Sequence, residues 1–126
     1  MNAIKALRQY QNVGVQSEVH EASPHRLIQM LMDGGLNRIA QARGAMARGQ
    51  VAEKGQLIGK TLGIIGGLRG ALDLEKGGEY AERLSALYGY MSHRLLEANR
   101  RNDEQLLDEV ASLLRNIKEG WDGIAA

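Results

Sequence analysis

The chain has 126 residues and a formal net charge of +1, which suits one hydrophobic core and gives no bulk electrostatic case for nucleic acid or an anionic membrane. Cysteine is absent, so disulfide, zinc-thiolate and cysteine-nucleophile chemistry are excluded together. One Pro, no Phe and five Met favour helices over a sheet with many turns.

Residues 2 to 12 read as a short amphipathic piece, with Ile4 and Leu7 on one helical face and Tyr10 following on the same side. A helix this short is marginal alone in water and needs a surface to lie on. Lys5 and Arg8 interrupt it, so no signal-peptide core is expected, and no apolar run reaches the length of a membrane span. The expectation is a cytoplasmic protein with no membrane insertion. Residues 13 to 22 read as a linker whose Val13, Val15 and Val19 can touch the body.

Ser23-Pro24 is a helix start, with Ser as the cap and Pro at the first helical position, where its missing N–H costs nothing. The first long helix is expected to run to about Arg48. Ile28, Met32, Ile39, Ala42 and Met46 form its seam, and Leu27 and Leu31 widen the apolar face. A second helix is expected over residues 51 to 74, with Ile58, Leu62, Ile65 and Leu72 on one side and Leu57, Ile64 and Leu68 broadening the arc. Beside that arc run Ala52, Gly55, Gly59, Gly63, Gly66 and Gly70. Interior glycine costs roughly 0.8–1 kcal/mol relative to alanine, so the stripe needs a steric reason or leaves the helix weak.

Lys76-Gly77-Gly78 reads as a helix stop and turn. A third helix then runs to about Arg101, with Ala81, Leu84, Tyr88, Met91, Leu95 and Ala98 on its seam. Asn102-Asp103-Glu104-Gln105 resembles a cap with Gln at the third helical position. The fourth helix carries Leu106, Val110, Leu113, Ile117 and Trp121 on one line, flanked by Leu107 and Leu114. Four amphipathic helices with short turns pack most simply as an antiparallel up-down four-helix bundle. The expected architecture is all-α: a bundle over residues 23 to 126, preceded by a cap helix and linker over 1 to 22.

Motifs of chemistry dissolve on inspection. Gly55 to Thr61 has three residues, not four, between its first Gly and Gly59-Lys60-Thr61, and no strand precedes it, so it is no P-loop. Gly63, Gly66, Gly67 and Gly70 miss the dinucleotide order. His20 and His25 are five apart with a helix start between them, so they cannot share a zinc-binding face and read as surface histidines. Position 90 is Tyr where a di-iron bundle would place Glu before His93. Tyr80, Tyr88 and Tyr90 read as amphipathic packing residues, and Arg94, Arg100 and Arg101 as cations near a helix C-terminus. No catalytic residue, cofactor or metal site is expected.

Apolar residues beyond a single seam point instead to a binding protein. Leu27, Leu31, Leu57, Ile64, Leu68, Leu107 and Leu114 are the candidate contact residues on the helices, with Ile4, Leu7 and Tyr10 in the N-terminal piece.

The stretch from Leu72 to Leu84, continued by Ala86 to Met91 and Arg94 to Asn99, resembles the signature of the bacterial flagellin export chaperones, the FliS family. Its matching positions are Asp73, Gly77, Gly78, Leu84, Leu87, Tyr88, Tyr90, Met91, Arg94, Leu95, Ala98 and Asn99. Ser23, Pro24, Leu27, Leu31, Asp33 and Gly34 match on the first long helix, and Tyr10 in the N-terminal segment. Met32 stands where the family usually shows Tyr, and the second helix is unusually rich in glycine. The resemblance implies a cytoplasmic, non-enzymatic chaperone that binds the disordered C-terminal segment of flagellin, prevents premature polymerisation and aids delivery to the export apparatus. It also favours a detachable cover for residues 1 to 12 over a frayed terminus. Two alternatives stay open from the residues: a bundle enzyme using Tyr or His, and an adaptor for an anti-sigma factor or an export-gate component.

Overall fold

A computed structural model describes residues 22 to 124. These residues form four α-helices and no strand: α1 (Pro24–Ala47), α2 (Val51–Gly70), α3 (Leu74–Arg101) and α4 (Glu104–Asp122). The expected cap helix, with Ile4, Leu7 and Tyr10, lies outside the described residues.

The start of α1 follows the sequence reading: the Ser23 hydroxyl accepts from the Arg26 N–H at 3.2 Å, with Pro24 opening the helix. The end of α2 does not. It stops at Gly70 instead of 74 because Asp73, in an extended conformation, caps a new helical turn and accepts from the Lys76 N–H at 3.0 Å. That turn breaks at Gly78, whose φ of 55° and ψ of −136° suit a residue without a Cβ. The expected glycine turn is therefore a kink inside α3. Between α3 and α4 the cap shifts by one residue. Asn102 adopts the left-handed conformation that closes α3, and Asp103 takes over the N-cap, accepting from the Gln105 N–H at 2.9 Å.

Helix α1 packs on α2 and α4, and α3 packs on the same two. The contacts join opposite ends. Arg43, late in α1, pairs with Asp108 at 2.6 Å and Glu104 at 3.2 Å, early in α4. The Lys54 ammonium, early in α2, donates to the Asn99 carbonyl and the Asn102 Oδ1 at the end of α3, both at 3.0 Å. Arg69, late in α2, donates to the Ser85 hydroxyl on α3 at 2.9 Å. Lys54 is thus a buried cation set against the negative end of a helix. Thr61, also buried, bonds back to the Leu57 carbonyl at 2.9 Å.

Each helix packs chiefly on two neighbours and so buries two adjoining stripes. This corrects the reading of surplus surface. Leu31, Leu57, Ile64, Leu68, Leu107 and Leu114 are core residues, and Leu107 and Leu114 lie deeper than Leu113 and Ile117 on the expected seam. Gly35 lets the helices come close, since a Cβ there would sit 3.0 Å from Leu114 Cδ2 and 3.5 Å from Ile64. No helix among the described residues is long and apolar enough to cross a membrane.

Candidate functional site

The starts of α1 and α3 and the ends of α2 and α4 converge at one end of the molecule and enclose an apolar pocket of about 150 Å³. Ile28 and Met32 come from α1, Leu68 from α2, Tyr80, Leu84 and Tyr88 from α3, and Ile117 and Trp121 from α4. Ala71 and Leu72 from the α2–α3 connection and Ile124 beyond α4 complete it. Tyr80 and Ile124 stand exposed at the rim, and Leu74 is exposed at the start of α3.

A reciprocal clasp fixes one wall. The His25 ring donates from Nε2 to the Trp121 carbonyl at 2.9 Å, and the Trp121 indole donates back to the His25 carbonyl at 3.0 Å. The two rings stack with centroids 4.8 Å apart and planes 13° from parallel. His25 is therefore a joint between α1 and α4 rather than a free surface histidine. The segment preceding α1 joins the molecule three residues before this clasp.

Tyr88 forms part of the pocket floor and is almost wholly buried. Loss of hydration holds its hydroxyl well above the ordinary tyrosine range, and neighbouring Tyr80 adds to the effect. Tyr90 points elsewhere. Its hydroxyl donates to Glu109 Oε2 at 2.6 Å, while the Arg94 guanidinium donates to Oε1 at 2.8 Å and lies 5.7 Å over the Tyr90 ring. Those bonds, that from Tyr90 first, hold the Glu109 carboxyl below the usual glutamate range. Arg100 pairs with Glu97 at 2.7 Å and Arg101 approaches Asp103 at 3.8 Å, so the three arginines serve carboxylates.

Of the candidate contact residues, Leu68 lines the pocket and Leu27 is half-buried beside Ile28. The other five on the helices belong to the core, apart from this opening. Sequence reading assigned Ile28, Met32, Tyr88, Ile117 and Trp121 to seams or packing and missed that they share a mouth.

The model of the family described as flagellar protein FliS matches residues 6–126. The chain is 62% identical over 125 residues to the flagellar secretion chaperone FliSB of Pseudomonas aeruginosa, covering 99% of both chains. It is 47% identical to the flagellar secretion chaperone FliS of Salmonella typhimurium, over 99% of this chain and 93% of that one. Against the flagellar secretion chaperone FliS of Vibrio cholerae the figure is 43%, over 94% and 88%. A match of this length and identity places the chain in the FliS family, a family of chaperones and not of enzymes.

Proposed function

We propose that this chain is a cytoplasmic flagellar export chaperone that holds the disordered C-terminal segment of flagellin, prevents its premature polymerisation and aids its delivery to the export apparatus. The observation that carries the reading is the open apolar pocket where all four helices converge, in a chain of the FliS family. Residues 23 to 126 act as an antiparallel up-down four-helix bundle, a reading supported by the contacts between opposite helix ends. An amphipathic client segment becomes partly helical as it wraps the bundle and sets a large apolar side chain into the pocket. Ordering that segment lowers the affinity per unit area, so each piece grips modestly and the client can be handed on.

Residues 1 to 12 serve as a detachable cover over the same end through Ile4, Leu7 and Tyr10. Residues 13 to 22 could span about 35 Å if extended, ample reach for a segment that joins α1 at the pocket.

Calorimetry with the C-terminal segment of flagellin from the same organism tests the function. One-to-one binding, a negative heat-capacity change and a gain of helical circular dichroism are expected. Absence of binding by a verified folded chain would remove flagellin as the client and leave the adaptor role.

A further inference from the structure

The polar atoms of the end pocket differ in how they are served. The Trp121 indole spends its hydrogen on the His25 carbonyl at 3.0 Å. Tyr80 is 73% exposed, so water reaches its hydroxyl. Tyr88 is only 2% exposed, and among the described residues its hydroxyl has no hydrogen-bond partner. No fully enclosed side-chain polar atom among those residues is left unpaired, so this hydroxyl must keep an opening. The space that Tyr88 lines is the pocket. Phenol hydroxyls in apolar surroundings normally find a partner, because leaving one unpaired is costly. Here the partner has to arrive from outside.

We propose that the Tyr88 hydroxyl is the polar anchor of this pocket, donating a hydrogen bond to a free backbone carbonyl of the client segment while an adjacent large apolar side chain fills the cavity. The proposal rests on the client reading above and adds to it the group that sets the docked segment's register. A cavity of about 150 Å³ has the room that holds a benzene ring, which suits one Leu, Ile, Met or Phe side chain. Free carbonyls are available wherever a client helix ends, since its last turn has no partners within the helix. Among the described residues the lining carries no charged side chain, so the pocket selects an apolar residue next to a helix end rather than an ionic group. Neither bond of the His25–Trp121 clasp needs to break for this to happen.

Tyr88→Phe removes the hydroxyl and keeps the ring. Its affinity for a flagellin C-terminal peptide without tryptophan should weaken by roughly three- to tenfold. The free full-length variant should melt at the same temperature or higher, because it loses a hydroxyl that bonds to none of the described residues. Trp121 is the chain's single tryptophan and lines the pocket, so its emission should change on binding. An unchanged Kd would overturn the anchor while leaving the client reading intact. So would a lower melting temperature of the free variant, which would assign the hydroxyl to this chain's own N-terminal segment. Trp121 emission that stays constant at saturation would place the client elsewhere, and a self-association lost in Tyr88→Phe would make the occupant a second copy. Failure of the unmodified chain to bind the peptide would remove the client reading and the anchor together.

Discussion

Four glycines of α2 answer a question the sequence could only pose. A Cβ built at Gly55, Gly59, Gly63 or Gly66 meets nothing within 4 Å among the described residues, so these four border open space there and no neighbouring backbone requires them. The double substitution Gly59→Ala with Gly63→Ala should therefore stabilise the protein by up to about 1 kcal/mol per site, partly by narrowing the unfolded ensemble. Thermal melts check this: the midpoint should rise by several degrees, and a fall would mean that these positions pack against a partner. Glycine at 77 is different, since a Cβ there would lie 2.5 Å from that of Ala81. Such contrasts were invisible in sequence, where all these positions are the same letter. Individual leucines were equally hard to read. Leu107 and Leu114 looked like surface beside a seam, but a helix with two neighbours needs both stripes. Tyr88 looked like any packing tyrosine until its burial set it apart from the exposed Tyr80 and the missing bond from its hydroxyl set it apart from Tyr90.

At the level of elements, periodicity located four helices because each long apolar arc repeats at helical spacing. Their boundaries depended on single side-chain bonds. Asp73 and Asp103 each cap a helix start, and both were legible as residue types without revealing which neighbouring residue would win the cap. The α3–α4 pair offers a test of its own. Tyr90 and Arg94 on α3 both donate to Glu109 on α4 and depress its pKa. A carboxyl whose folded pKa lies below its unfolded value contributes stability at neutral pH, and that contribution is lost as pH falls through the folded pKa. Glu109→Gln should thus lower stability near neutral pH and narrow the gap to the unmodified chain on acidification below the usual glutamate range. Because the pair is about one-third exposed, the difference should stay below about 1 kcal/mol. Denaturant titrations of both chains across that range measure it. A gap that held constant through the acid range would mean that Glu109 acts through packing alone.

On the scale of the whole molecule, chain order brings the starts of α1 and α3 to the ends of α2 and α4, and the pocket exists only because of that convergence. No local pattern in the sequence announces it; Ile28 and Trp121 are 93 residues apart and become two sides of one opening. The N-terminal segment is tethered at the same end, which makes the cover hypothesis testable as a property of the intact protein. An apolar mouth left open should bind a hydrophobic dye, and a segment carrying Ile4, Leu7 and Tyr10 should compete for it. Substituting those three residues with Ser in the full-length chain removes the sticky face without shortening the tether. Dye fluorescence in the absence of client should then rise, and the affinity for the flagellin segment should increase, because the client no longer displaces a competitor. Trp121 emission should shift as its surroundings become wetter. Unchanged dye binding with unchanged client affinity would show that residues 1 to 12 leave the pocket alone, and the cover would have to be abandoned even if flagellin binding stands.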